Sequence, residues 1–219
     1  MIVTVQDAIW RIYELGGPVV LILGVISILV LAVVLFKLWQ FAVAGVGRHK
    51  ALARAVEAWD AGDRTAARAH MDRSRSYLVP VVTMALDGQT DASRLEAEAE
   101  TRFAQLESGF RFLDSVAQLA PLLGLFGTVL GMITAFQALQ EAGAQVDPSI
   151  LAGGIWVALL TTAVGLAVAM PTSVVLSWLE ARMDADRVLA QRIVHTILAP
   201  EGRGATSEEA DPERAASHA

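Results

Sequence analysis

Three stretches of the sequence contain no aspartate, glutamate, lysine or arginine: residues 15–36, 115–140 and 148–179. Each is apolar and longer than the roughly 20 residues with which an α-helix crosses a hydrocarbon core about 30 Å thick. The 17 basic and 23 acidic side chains all lie in the rest of the chain. A mean hydropathy of +0.49 is also too high for an ordinary soluble domain. We therefore expect an all-α integral membrane protein with three transmembrane helices.

The first apolar stretch is interpreted as a retained span and not as a cleaved signal peptide. A signal peptide begins with a basic segment and ends at a small-residue cleavage site. Residues 1–14 carry one basic side chain, Arg11, against two acids, and the apolar run ends at Lys37 without an Ala-x-Ala site. A Gly-Gly-Pro sequence at 16–18 interrupts the helical pattern. We expect an amphipathic helix over 1–14 on the outer surface, followed by a transmembrane helix over 15–40.

The basic residues near the span ends predict the orientation of the chain. Lys37, Arg48 and Lys50 follow the first span, and three arginines follow the third. The link over 141–149, between the second and third spans, carries two acids and no base. Because lysine and arginine stay on the cytoplasmic side, the N-terminus and this link are predicted outside and the C-terminus inside.

The segment between the first two spans, 41–92, is predicted to be a cytoplasmic helical hairpin region. Two short helices are expected over 51–61 and 64–72. Gly62 suits the position that follows a helix C-terminus, and Asp63 suits the N-cap of the next helix.

Apolar residues at helical spacing continue from the second and third spans into the polar parts of the chain. We predict one long helix over 93–140 and another over 150–199, both extending far into the cytoplasm. Long helices with an apolar stripe pack against other helices, and a single chain offers few, so we expect a homo-oligomer. The tail over 200–219 has no such stripe and is predicted to be disordered. The stripe before the second span comprises Leu95, Ala99, Phe103, Leu106, Phe110, Leu113 and Ala117.

Small and hydroxyl-bearing residues share one face on each of the last two spans. Such faces form packing surfaces in many membrane proteins, with each threonine hydroxyl bonded to its own helix. The alternative is that they line a narrow cavity, where Thr128, Thr161 and Thr162 offer hydroxyls to water or another helix. Pro121 and Pro171 are candidate kinks or tolerated prolines. The candidate packing residues are Gly124, Gly127, Gly131, Gly154, Ala158, Gly165 and Ala169.

These two faces carry a family resemblance. The run Gly-Leu-Phe-Gly-Thr-Val-Leu-Gly over 124–131, with Gly-Ile at 154–155 and Ala-Leu-Leu-Thr-Thr-Ala-Val-Gly-Leu-Ala-Val-Ala-Met-Pro over 158–171, resembles the signature of the ExbB/TolQ/MotA proton-channel family. The three-span layout with a large cytoplasmic loop is more similar to ExbB and TolQ than to the four-span MotA.

The resemblance implies a bacterial inner-membrane proton channel or motor subunit with a periplasmic N-terminus. It implies a pentamer around an ExbD/TolR-like single-span protein that supplies a membrane aspartate, and work on outer-membrane transport through a TonB-like protein. Thr128 and Thr162 match the family's pore-facing threonines. Since no acid lies in any span of this chain, a carboxylate relay needs a partner. The chain departs from the family at Val157, where many relatives have glutamate, so that residue's role does not transfer.

Other function classes find little support in the sequence. There is no cysteine, the four histidines lie outside the spans without metal-site spacing, and the net charge is −6, so we expect no metal, no cofactor and no nucleic-acid partner. An intramembrane enzyme needs a nucleophile with a base or a metal pair, which the spans lack. Membrane lipid is an expected contact. A TolQ-like subunit of the Tol-Pal system and a non-conducting scaffold remain alternatives.

Overall fold

The protein is described from a computed structural model, which defines residues 2–141 and 148–200. The predicted outer link and the predicted disordered tail fall mostly on 142–147 and 201–219, which lie outside the described residues. Every regular element in the described part of the chain is an α-helix, so the all-α prediction is confirmed. The helices are α1 (Ile2–Ala44), α2 (Lys50–Asp60), α3 (Arg64–Met71), α4 (Val79–Leu86), α5 (Ala92–Glu107), α6 (Phe110–Glu141) and α7 (Pro148–Leu198).

Three of these helices are long and apolar enough to cross a membrane, as the sequence predicts. The candidate spans are Gly16–Ala44 in α1, Phe110–Glu141 in α6 and Leu151–Leu198 in α7. Their outward faces carry large exposed apolar side chains such as Ile28 and Val174, both 70% exposed. Such surfaces suit lipid or another helix rather than water.

Helix α1 is two helical segments joined at Gly17, which has a non-helical backbone with φ of 65°. Glycine adopts this conformation without the clash that a Cβ atom causes. Pro18 follows and begins the apolar segment, because a proline lacks the N–H that helix interiors use. The backbone of the predicted N-terminal helix over 1–14 is helical from Ile2, while its side chains lie outside the described part of the chain.

The turn between α2 and α3 has the predicted caps. Gly62 has a positive φ of 84°, and the Asp63 carboxylate accepts hydrogen bonds from the backbone N–H of Thr65 at 3.1 Å and of Ala66 at 2.9 Å. The hydrogen bond from Ala66 and the side-chain bond from Thr65 hold the pKa of Asp63 below its usual value. These bonds satisfy N–H groups that the first turn of a helix leaves without partners.

The single helix predicted over 93–140 is wrong, because the chain breaks at Ser108 and Gly109 into α5 and α6. Ser108 has an extended ψ of 127°, and Gly109 has a positive φ of 92°. The buried Lys37 lies at this break, where its Nζ donates to the carbonyl oxygen of Leu106 at 3.1 Å and to Ser108 Oγ at 3.3 Å. Lys37 therefore satisfies a carbonyl that the end of α5 leaves without a helical partner.

Most residues of the apolar stripes of α5 and α7 are covered within one chain, although Val188 of α7 is 67% exposed. Leu95 and Phe103 of α5 and Met183 and Val194 of α7 are all at most 3% exposed. The covered part of the stripes therefore gives no reason of its own for a homo-oligomer, and the oligomeric state stays a prediction. Helix α4, which was not predicted, adds Val81, Val82 and Ala85 to the buried residues.

The chain divides into two compact units. The first comprises Met1–Phe36 and Gly109–Trp178, and it holds the charge-free parts of α1, α6 and α7. The second comprises Lys37–Ser108 and Leu179–Ala219, and it holds α2 to α5 with the polar ends of α1 and α7.

Candidate functional site in helices α6 and α7

Helices α6 and α7 approach each other so closely that their backbones touch. A Cβ atom on Gly165 would lie 2.6 Å from the carbonyl oxygen of Ala120 and 3.1 Å from the Cα atom of Gly124. A Cβ atom on Gly124 would lie 2.9 Å from the carbonyl oxygen of Thr161. Real Cβ atoms do not approach backbone atoms this closely, so both positions need glycine. Small residues permit such contacts between membrane helices.

The same contact continues along both helices. A Cβ atom on Gly131 would lie 3.3 Å from Ala158, and one on Gly127 would lie 2.6 Å from the Thr161 side chain. A Cβ atom on Gly154 would overlap the side chain of Ala135. Six of the seven sequence-predicted packing residues therefore lie at the contact between α6 and α7. The seventh, Ala169, is buried on α7 at 4% exposure.

Thr161 lies inside this contact and is only 1% exposed. Its hydroxyl oxygen is 2.7 Å from the carbonyl oxygen of Ala158 on its own helix and 3.2 Å from that of Gly124 on α6. The hydroxyl proton is shared between these two acceptors. In the single chain Thr161 thus joins α6 to α7 through a buried hydrogen bond, which corresponds to the packing interpretation of its face.

Thr128 and Thr162 are half-buried and differ from Thr161 in this respect. The Thr162 hydroxyl donates to the carbonyl oxygen of Gly124 at 3.4 Å, and the Thr128 hydroxyl donates to that of Leu125 at 2.6 Å. A hydroxyl that donates one hydrogen bond retains lone pairs that accept others. Both side chains therefore have acceptor capacity on a surface that the chain itself does not cover completely.

A largely apolar cavity of about 560 Å³ lies among α1, α6 and α7 in the first unit. Val157 lines it, at the position where the sequence departs from the family pattern. The polar side chains among the described lining residues are those of Thr134 and Thr161. None of the described residues that line the cavity is ionisable.

Both prolines lie inside their helices. Helix α6 continues through Pro121 and α7 through Pro171, with no residue of either helix in a positive-φ conformation. Their assignment as kinks stays a prediction.

The charge-free character of the spans is the main chemical property of the site. Neither α6 over 115–140 nor α7 over 148–179 contains an acid or a base. Within the described part of the chain, no three side chains of His, Cys, Asp or Glu lie close enough together to hold a metal ion. At the contact between α6 and α7, the polar groups that the described residues present are threonine hydroxyls and backbone carbonyls.

The chain matches a known family over more than half of its length. A sequence profile of the MotA/TolQ/ExbB proton channel family matches residues 59–191, which include all of α6 and most of α7. The family resemblance of the two small-residue faces is thereby confirmed.

The relatives most relevant to this chain are named either as ExbB or as TolQ proteins. The biopolymer transport protein exbB1 of Vibrio cholerae is 40% identical over 93 residues, which are 42% of this chain and 40% of the relative. The Tol-Pal system protein TolQ of Haemophilus influenzae is 42% identical over 80 residues, covering 36% and 35%.

A putative biopolymer transport protein, an ExbB homolog of Methanothermobacter thermautotrophicus, is 28% identical over 180 residues, covering 80% of this chain and 63% of the relative. The chain thus spans less than two thirds of the length of each of these three relatives.

Proposed function

Because the chain belongs to the MotA/TolQ/ExbB proton channel family, we propose that it is an ExbB-like wall subunit of a proton-driven motor in the bacterial inner membrane. In this proposal its role is not enzymatic. The chain forms the hydroxyl-lined wall, and a partner protein supplies the group that carries the proton.

The observation that carries the proposal is the combination of half-buried hydroxyls with an absence of acids in the same spans, residues 115–140 of α6 and 148–179 of α7. Thr128 and Thr162 present hydroxyl oxygens from α6 and α7, while the charge-free spans hold no carboxylate. Moving protons through a membrane protein commonly uses Asp, Glu or His side chains within the membrane. An ExbD/TolR-like protein with one span and a membrane aspartate complements this wall.

We place the partner helix at the centre of a homo-oligomer, a pentamer by analogy with the family. The chain then has a periplasmic N-terminus and a cytoplasmic C-terminus, and the polar parts of α5 and α7 extend into the cytoplasm. Proton flow drives relative rotation or a conformational change, which a TonB-like protein transmits to outer-membrane transport.

A TolQ-like role in the Tol-Pal system is the second candidate. It is favoured by the 42% identity to the Haemophilus influenzae relative named TolQ. Expressing the chain in strains that lack either ExbB or TolQ discriminates the two roles. The ExbB-like proposal predicts restored uptake of an iron complex in the first strain, while restored envelope integrity in the second alone supports the Tol-Pal role.

The double variant Thr128→Val and Thr162→Val tests the wall assignment. Valine keeps the shape of threonine and removes the hydroxyl, so we expect uptake driven by the proton-motive force to fall roughly tenfold or more. The matched control is Thr134→Val, because Thr134 is exposed on α6 and its hydroxyl bonds to its own helix at Leu130.

Membrane levels of the chain are measured in parallel, so that a loss of protein is separated from a loss of activity. Unchanged uptake in the double variant would overturn the assignment of Thr128 and Thr162. The alternative of a non-conducting scaffold predicts a different result when the chain is co-expressed with an acid-bearing single-span partner. In that case the partner neither alters assembly of the chain nor produces proton-dependent activity.

A further inference from the structure

A buried polar cluster in the second unit joins three distant parts of the chain. His49 Nε2 lies 2.8 Å from Asp186 Oδ2, and His49 Nδ1 lies 2.9 Å from Ser76 Oγ. The Tyr77 hydroxyl donates to the same Asp186 oxygen at 2.9 Å. His49, Ser76 and Asp186 are each at most 8% exposed. The cluster therefore fixes the loop after α1 and the segment before α4 against α7.

Each joined segment brings an arginine next to the cluster. Arg48 precedes His49, Arg75 precedes Ser76, and Arg182 lies one helical turn before Asp186. Residues four apart on a helix share a face, so Arg182 is on the face of α7 that meets the loop.

Two glycines show how closely these segments pack. A Cβ atom on Gly47 would overlap the guanidinium of Arg182, and one on Gly45 would lie 2.7 Å from the carbonyl oxygen of Arg75. The backbone N–H of Tyr77 also donates to the carbonyl oxygen of Ala44 at 3.2 Å. Arg75 and Arg182 thus lie at the loop that carries Arg48.

The three arginines are exposed, and none forms an ion pair with any described residue. This distinguishes them from Arg187, which pairs with Glu100 at 3.1 Å. Asp186 does not neutralise them by an ion pair, since its contacts go to His49 and Tyr77. The packed segments thus carry three like charges on one part of the surface of the second unit, and such a local excess of positive charge favours the binding of an anion.

The location indicates which anion. The arginine-bearing loop begins directly after Ala44, where the first candidate span ends. Basic residues immediately beside a span attract anionic lipids, and guanidinium groups bind phosphate oxygens through paired N–H donors. The net charge of −6 argues against a nucleic acid as the ligand.

We propose that Arg48, Arg75 and Arg182 form a binding site for the phosphate headgroup of an anionic phospholipid, in the leaflet at which the first span ends. The bound lipid offsets the repulsion between the three guanidiniums and stabilises the packing of the loop against α7. The site is independent of proton conduction and requires only that the first span is inserted in a membrane.

Thermal unfolding of the full chain in a neutral detergent tests the proposal. Phosphatidylglycerol, phosphatidylcholine with the same acyl chains, and inorganic phosphate are titrated separately. We expect phosphatidylglycerol to raise the unfolding midpoint, while phosphatidylcholine and inorganic phosphate at the same concentration leave it within error.

The test variant replaces Arg48, Arg75 and Arg182 with glutamine. The matched control replaces Arg54, Arg68 and Arg192, which are also exposed and without ion pairs to described residues, and it changes the net charge equally. Each arginine near an anionic lipid surface contributes roughly fivefold to the affinity for phosphatidylglycerol. We therefore expect the test variant to bind phosphatidylglycerol on the order of a hundredfold more weakly, and the control to keep the wild-type response.

Equal responses of the test and control variants to phosphatidylglycerol would overturn the proposal. If inorganic phosphate alone shifted the unfolding midpoint, the site would bind a soluble anion, and the proposal of a lipid site would be overturned. If the triple variant does not fold, the single variant Arg75→Gln is titrated in the same way. It is expected to bind phosphatidylglycerol about fivefold more weakly, and wild-type binding would contradict the site.

Discussion

Replacing Gly165 with alanine tests whether α6 and α7 are held together by direct backbone contact. The added Cβ atom would lie 2.6 Å from the carbonyl oxygen of Ala120. Ordinary contact begins near 3.4 Å, so the helices must separate locally by about 0.8 Å. The opposing atoms belong to the α6 backbone and cannot move aside as a flexible side chain does.

The expected cost is that of overpacking, about 1–3 kcal/mol in the free energy of unfolding. Alanine also has a higher helix propensity than glycine, worth up to about 1 kcal/mol, which offsets part of this cost. Gly153→Ala isolates the propensity effect, because Gly153 lies on the same helix with no atom within 4 Å of its added Cβ. The difference between the two variants is therefore the overpacking alone.

Both variants are unfolded by titration with denaturing detergent, and the separation of α6 and α7 is measured by spin-label distances. We expect Gly153→Ala to be neutral or slightly stabilising, and Gly165→Ala to be about 1–3 kcal/mol less stable than it, with a wider helix separation. Equal stability with unchanged separation would refute the backbone-contact argument.

Two further predictions concern the polar cluster of the second unit. Asp186→Ala leaves His49 and Tyr77 without their shared acceptor, so it should lower the free energy of chemical unfolding by about 2–4 kcal/mol. Asp184→Ala removes a carboxylate that is 74% exposed and should cost less than about 0.5 kcal/mol. Equal effects of the two variants would contradict a structural role for the cluster. Burial and the adjacent Asp186 carboxylate raise the pKa of Tyr77. Tyr13 is the other of the two tyrosines, so a Tyr13→Phe background makes Tyr77 the sole one, and there the free energy of unfolding should hold below pH 10.0 and decline above it. Tyrosinate absorbance measured against pH checks this, and a folded-state midpoint near the ordinary 10.0 would disprove it.

Much of the architecture follows from local sequence. The spans follow from apolar length, and the turn at Gly62 and Asp63 follows from residues that act on their immediate neighbours. The break at Ser108 and Gly109 was missed because the apolar repeat continues across it. A repeat predicts which side chains are buried, not whether the backbone between them stays helical. The Ser-Gly pair was the available signal, while the hydrogen bonds from Lys37 come from a distant part of the chain.

The candidate site was predicted in composition but not in detail. Thr161 and Thr162 were assigned to one broad face, yet neighbouring residues on a helix are rotated by about 100°, which is enough to bury Thr161 and leave Thr162 half-buried. The cluster of His49, Ser76 and Asp186 had no sequence signal, because its members are separated by 27 and 137 residues from His49. Such contacts depend on tertiary packing that local patterns do not record.

The most direct test of the proposed function is the structure of the chain purified together with an acid-bearing single-span partner. The proposal predicts a closed homo-oligomer with the partner helix at its centre. It also predicts that the partner carboxylate lies within about 3 Å of a Thr128 or Thr162 hydroxyl, or is joined to it through one water. A monomer, or an oligomer whose centre holds lipid and never binds the partner, would contradict it.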